Sequence, residues 1–396
     1  MLGSVLRALK QHRRTRLLPP QARVEIRRDR AGLPIEDPGA MAAVEAGLRW
    51  LARAQDRSAS ADGGIARHWS IVSGWDTSYP ETTGYIVPTL LACADRFERP
   101  GLADRARRAL NWLVSLQYES GAFPGGKVGT TERVPVTFNT GQILLGLAAG
   151  AWRWDEYIEP MQRCADWLVE TQDEDGCWRR FPSPFNLGGD KTYETHVSWG
   201  LLEAAKVEDS RGYLEAAERQ VRWAMRQVRD NGWVDHCCLN RRDQPLTHTL
   251  AYAIRGILEF HRATRDPEAL RVGQRAADGA LCLLGEDGFL SGRIRDDWSP
   301  AVDWACLTGT AQFAACWFLL HDLTRDTAYL DAAWRANRFV RRTLRIDPEI
   351  EADGGVKGSF PVDGSYGPFQ YLSWACKFMV DSNLMELAAV EPHAKG

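Results

Sequence analysis

One feature limits the folds open to this chain more than any other. A helix carrying one bulky residue, ended by an acidic–glycine turn, recurs six times along its 396 residues. GLRWLARAQ, ALNWLVSLQ, CADWLVETQ and QVRWAMRQV place Trp50, Trp112, Trp167 and Trp223 at equivalent points. AADGALCLL and ANRFVRRTL are degenerate fifth and sixth copies, with Gly279 and Phe339 at the marker position. Each copy runs into a turn: ADGG at 61–64, ESGAF at 119–123, DEDGCW at 173–178, DNGW at 230–233, EDGF at 286–289 and ADGG at 352–355. An acidic residue followed by glycine stops a helix and permits a left-handed turn. The markers stand about 55 to 62 residues apart, the period of a two-helix repeat.

A second helix follows each turn. The six begin within PETTGYIVPTLLACA, TFNTGQILLGLAAGA, YETHVSWGLLEAA, LTHTLAYAIRGILEF, DWACLTGTAQFAACWFLL and YLSWACKFMVDSNLMEL. These stretches are apolar on nearly every face and rich in Gly and Ala, as helices buried on several sides are. The marker helices carry Arg and acidic residues on one face and read as an outer layer. Six outer and six inner helices in alternation predict an all-α, (α/α)6 toroid over residues 39–396, preceded by a basic arm over 1–38.

Composition removes several classes. A net charge of -3 supplies no global basic field for nucleic acid. No apolar run reaches the roughly 18 to 20 residues of a membrane span. The opening MLGSVLRALKQHRRTRLLPP lacks the long apolar core and cleavage site of a secretory signal. Nine cysteines, mostly scattered singly through helices, suit reduced thiols, and the expected location is cytoplasmic.

In a closed ring the six inner helices start at one mouth, where free N–H groups favour anions. Their first turns are polar. They hold Glu81, Thr82 and Thr83; Thr137, Asn139 and Thr140; Glu194, Thr195 and His196; Thr247, His248 and Thr249; Asp303, Trp304 and Thr308; and Tyr371, Trp374 and Lys377. N-capping explains many of the threonines but leaves Glu194, His196 and His248 over. The connectors add Arg67 and His68, Lys127 and Arg133, Arg179 and Arg180, Arg241 and Arg242, Arg293 and Arg295, and Lys357. Such a ring of cations fits an acidic substrate, although any one of them alone reads as a solvated loop charge. Trp75, Trp304 and Tyr366 offer ring faces for a sugar, and Lys377 a further cation. Cys238 and His248, near Asp235, His236 and Cys237, are of the types that bind zinc, but adjacent cysteines and this spacing match no strong zinc pattern, so no metal or other cofactor is expected.

The repeat resembles the six-hairpin toroid superfamily of polysaccharide lyases, glycoside hydrolases, epimerases, terpene cyclases and prenyltransferase subunits. QYESGAF at 117–123 and QDEDGCW at 172–178 look like the Gln-and-Trp turn of squalene-type cyclases, but the Asp-x-Asp-Asp acid motif of that group is absent. WDTSYPETTGYIVPTLL, PLTHTLAYAIRGILE, WACLTGTAQ and GGVKGSFPVDGSYGP resemble bacterial proteins found with polysaccharide gene clusters. The resemblance implies an enzyme acting on a uronic-acid carbohydrate. For elimination, Asn139 with Arg133, Arg180, Arg241 and Arg293 would neutralise the substrate carboxylate. His196 or His248 would be the base, and Tyr79, Tyr193 or Tyr366 the acid. A glycoside hydrolase in the same pocket would pair two of Glu81, Glu194 and Asp303. An isoprenoid cyclase or transferase and a non-catalytic binding protein stand as further alternatives.

Overall fold

Thirteen α-helices and a few short strands make up the described part of the computed structural model, which covers residues 18–129, 133–184 and 189–390. The outer helices are α2 (Ala40–Asp56), α4 (Pro100–Leu116), α6 (Ile158–Thr171), α8 (Tyr213–Met225), α10 (Pro267–Leu281) and α12 (Thr327–Arg342). The inner helices are α3 (Pro80–Arg96), α5 (Thr137–Ala151), α7 (Thr195–Val207), α9 (Thr247–Thr264), α11 (Leu307–Thr324) and α13 (Ser373–Val390). Each inner helix packs on the next, and α13 packs back on α3 and on α2, which closes the ring. The fold is the expected (α/α)6 toroid.

The glycines of the inner helices explain their close spacing. A Cβ on Gly84 would lie 2.5 Å from Ile143 Cα, and one on Gly146 would lie 2.4 Å from the Gly84 carbonyl. Gly200 meets the Gly141 carbonyl in the same way, and Gly256 meets the Thr195 backbone. Backbone-to-backbone contact of this kind needs a residue without a side chain.

The turns after the outer helices repeat a second device. Gly121, Gly176, Gly232, Gly288 and Gly354 all have positive φ. A Cβ on any of them would strike the next outer helix at the carbonyl of Arg163, Arg219, Arg275, Arg335 or Ala46. The last of these contacts joins the sixth turn to the first helix. In the first three repeats a glutamine clamps the joint. The side-chain amides of Gln55, Gln117 and Gln172 donate to their own turn and to the carbonyls of Arg105, Pro160 and Ala216.

The marker side chains Trp50, Trp112, Trp167, Trp223 and Phe339 are buried between the layers, each worth about 1.5–3 kcal/mol of transfer free energy. The fifth copy lacks its indole, but Trp298 from the following connector lies directly over Gly279. Its Nε1 donates to the Asn231 carbonyl.

Two small sheets link connectors to one another, and one of them seals the seam. β1 (His68–Ser70) pairs antiparallel with β2 (Gly74–Trp75) and with β5 (Gln370–Leu372), which joins the first connector to the last. β3 (Ala305–Cys306) pairs with β4 (Ser359–Phe360). The arm divides in two. Its basic start, residues 1–17, lies outside the described residues. The rest is docked on the ring: α1 (Pro20–Arg30) brings Glu25 and Asp29 to 2.8 and 2.5 Å from Lys357 Nζ. Asp37 pairs with Arg341. Lys357, read from sequence as a rim cation, is thus a buried anchor with 1% exposure.

Candidate active site

The inner helices present their N-terminal ends to a cavity of about 160 Å³. Tyr79, Glu81 and Tyr85 come from the start of α3, Phe138 from α5, and Tyr193 from the turn before α7. His248 and Tyr252 come from α9, Trp374 from α13, and Arg67 and Tyr366 from the first and last connectors. The first-turn threonines hold this end together and do not face a ligand as a group. The Thr83 and Thr140 hydroxyls accept from the Ile65 and Phe123 amides. Thr195 donates to the Ala253 carbonyl and Thr249 to the Cys237 carbonyl. None of the helices α3, α5, α7, α9 or α11 has a side-chain N-cap bond. Tying helix starts to connectors therefore replaces the capping role expected for them.

Glu81 is the one carboxylate among the described residues lining this cavity. Burial pushes its carboxyl up to about 7, against the opposing pull of the Arg67 charge and the Tyr79 hydroxyl. It is therefore divided between acid and base near neutrality. The Arg67 guanidinium stacks 5.6 Å from the Tyr79 ring and 5.2 Å from Trp374. It makes no ion pair with an acidic residue among the described residues. Trp374 Nε1 donates to the Tyr366 hydroxyl at 2.8 Å.

His248 is set by Gln312. The Gln312 Oε1 accepts at 2.8 Å from Nδ1, which leaves the lone pair on Nε2. Burial holds this imidazole down to about 4, so it is neutral at pH 7. The ring lies 4.5 Å from Tyr252 and 5.6 Å from Tyr366. Burial keeps the hydroxyls of Tyr79, Tyr85, Tyr252 and Tyr366 protonated.

His196 sits below this cavity, edge-to-face with Tyr252 at 4.4 Å between ring centres, with Nδ1 bonded at 2.6 Å to Gln142 Oε1. It faces a very small axial chamber shared with Arg255, Lys377 and Asp381. Lys377 is bound there to Asp381 at 2.5 Å. Both residues, expected at the mouth, therefore belong to the floor, because they lie on the inward face of their helices. Asn139 is buried against Tyr79, in the wall.

Other expected residues lie elsewhere. Asp303 is exposed and lines a separate cleft beside Leu33, Phe339 and Arg342. It precedes the two-residue strand β3, so it stands before α11 and outside the ring of helix starts. Glu194 is enclosed, and its electrostatic neighbours Lys191, Asp190, Arg179 and Asp173 belong to its own connector. The short 3-10 turn Thr192–Glu194 turns it away from the mouth. The carboxylate pair expected across the mouth is therefore not assembled.

The rim arginines are dispersed. Arg133, Arg180 and Arg241 are exposed outside the cavity lining, and Arg293 bonds to the Gln244 carbonyl. Arg179 is neutralised by Asp173, Asp175 and Asp190. Trp75 packs on Trp50 and bonds to Glu351. Trp304 is buried against Leu246 and Tyr366. Tyr252 and Tyr85, which form much of the floor, escaped the sequence reading. They sit one turn into their helices, where an aromatic residue is indistinguishable from core. Cys238 and His248 line different pockets, and among the described residues no group of three metal-ligating side chains converges.

The squalene-hopene cyclase C-terminal domain family matches residues 75–257. Comparison with curated proteins returns no match. Among solved structures, unsaturated glucuronyl hydrolase from Bacillus sp. GL1 superposes with a TM-score of 0.71 at 16% identity, covering 89% of this chain and 97% of that one. D-mannose isomerase gives 0.69 at 12% identity, over 91% and 100%. Cellobiose 2-epimerase from Bacillus thermoamylovorans gives 0.68 at 12%, over 86% and 96%. At such identities the likeness is one of fold: this chain has the (α/α)6 toroid that these carbohydrate-processing enzymes share.

Proposed function

We propose that the protein is a carbohydrate-active enzyme that moves a proton at carbon on the terminal uronate residue of an anionic sugar chain, by β-elimination. The observation that carries this reading is the set Arg67, Glu81 and His248 around one aromatic chamber. The cavity is smaller than the roughly 300 Å³ at which pockets for drug-sized ligands begin, so it suits one sugar ring, presented end-on.

The chemistry divides among the three groups. Arg67, free of an acidic partner among the described residues, would hold the uronate carboxylate and stabilise charge spreading onto it. Neutral His248 would take the proton from the carbon next to that carboxylate at Nε2. As that C–H bond at C5 breaks, a C4–C5 double bond forms and the uronate's own C4–O bond to the neighbouring sugar breaks, so the terminal uronate is the one at the reducing end, whose C4 carries that sugar. Glu81, partly protonated near neutrality, would give its proton to the departing oxygen. A two-carboxylate hydrolysis lacks its second carboxylate among the lining residues.

A second reading has its own support. A lone acid with its carboxyl near 7 also suits protonation of an already unsaturated uronate, followed by water addition. Unsaturated glucuronyl hydrolases share the fold. One experiment separates the two. Incubation with a panel of uronate oligosaccharides should generate the ultraviolet absorbance of an unsaturated uronate if elimination occurs. Loss of that absorbance from pre-cleaved oligosaccharides would favour the second reading. Turnover of neutral glycans alone would sink both.

A further inference from the structure

A second pocket, of about 400 Å³, opens between the third and fourth hairpin connectors. Lys191, Trp233, His236 and Arg242 are among the residues that line it. It is separated from the central cavity by a single strand of chain: Cys237 and Cys238 line the second pocket, and Leu239 lines the first. Thr249 anchors that wall by donating to the Cys237 carbonyl at 2.8 Å.

The charge of this pocket is not balanced. Lys191 is only 3% exposed. Even so, among the described residues its ammonium has no hydrogen bond or ion pair. The side chain lines the pocket, and Glu194 is the acid whose carboxyl feels its charge. Asp190 and Asp235 line the same pocket and are already occupied, by Arg179 and Arg229. Glu194 lies behind, and burial holds its carboxyl toward the protonated form. Arg242, at the exposed edge, likewise has no ion pair among the described residues, and His236 adds an imidazole held at positive φ. Lys191 and Arg242 thus leave net positive charge around an open, polar space.

We propose that this pocket is an oxyanion subsite, which takes a carboxylate or a sulfate ester carried by the sugar next to the ring held in the central cavity. The identity of the carrier rests on the carbohydrate reading above; the anion binding itself does not. An oxyanion here would give Lys191 the partner it lacks, and Trp233 would supply an apolar wall. The position explains how an end-acting site can still select for charge further along the chain.

The test is isothermal titration calorimetry of the full chain with sodium sulfate and with sodium glucuronate, at low ionic strength. Saturable binding that weakens at least tenfold in Lys191→Met, and persists in Lys191→Arg, is the expected result. The exposed Arg242→Ala, which does not threaten the fold, should weaken it several-fold. Arg67→Met should leave sulfate binding in place, which separates this pocket from the central one. The probe with the larger Lys191-dependent affinity identifies the group as sulfate or carboxylate. Absence of binding in the wild-type protein, or binding indifferent to both Lys191→Met and Arg242→Ala, overturns the proposal. Loss of turnover on uronate chains would overturn the proposed reaction and leave this result standing.

Discussion

His248 and Glu81 occupy the two ends of a proton transfer, and their environments push them in useful directions. Burial lowers the imidazole to about 4 and raises the carboxyl to about 7. The base form of His248 exists above about 4, and the acid form of Glu81 exists below about 7. A reaction that needs both should therefore rise through the first value and fall through the second. We expect a bell-shaped pH profile of kcat/KM with limbs near those values. Glu81→Gln should remove the alkaline limb; a profile with that limb intact would assign it to another group. His248→Ala and Glu81→Gln should each lower turnover about 100-fold or more, with circular dichroism unchanged. Both residues were legible in the sequence as polar exceptions in apolar helices. Glu194 met the same criterion and failed, because a 3-10 turn ahead of α7 rotates it toward its connector. One residue of local backbone geometry decides which way a first-turn side chain points, and sequence spacing does not carry it.

Among the elements, the inner helices owe their spacing to glycine. A Cβ at Gly256 would come within 2.3 Å of the Thr195 backbone, while one at Gly101 in α4 would meet nothing within 4 Å. Backbone cannot move aside as a flexible side chain can. Gly256→Ala should thus destabilise by about 1–3 kcal/mol or more. Gly101→Ala should be neutral or stabilising by up to about 1 kcal/mol, through the entropy of the unfolded chain. Chemical denaturation of the two variants measures both. Equal effects would mean that the inner ring relaxes around the added methyl. The degenerate fifth repeat belongs to this scale too. Gly279 reads in the sequence as a lost marker, but the space above it is filled by Trp298, 19 residues further on. The hole is conserved as a volume and filled from a different element.

The ring as a whole closes through contacts between distant parts of the chain. Gly354 abuts Ala46, Arg49 and Arg53 pair with Asp353, and α1 is pinned by Lys357 between Glu25 and Asp29. Removing one member of a buried charge cluster leaves the others uncompensated, at a cost of about 3–5 kcal/mol. Lys357→Met should lower stability by that order and expose residues 20–38 to limited proteolysis. A variant whose arm stays as resistant as the wild type would show that Arg28, Asp37 and apolar contacts hold it unaided. The basic rim also belongs to this scale. Summed over the connectors it looks like a cationic collar, but Lys127, Arg179, Arg229 and Lys357 each meet an acidic partner once folded. Arg67, Arg133, Arg242, Arg293 and Arg295 meet none among the described residues, and of these only Arg67 lines the central cavity.

Periodicity in the sequence alone was enough to determine the architecture. Six marker helices, six glycine turns and six apolar partners admit few arrangements other than a closed double ring, and the inner helices begin within a few residues of the predicted points. Residue types also placed the polar end of that ring. What only the tertiary structure decided was which polar groups face one another. Hydrophobic burial repeats with the period of the backbone, so its pattern is written along the chain. Direction, pairing and charge balance depend on contacts between residues such as His248 and Gln312, 64 positions apart, and on neighbours that no local pattern encodes.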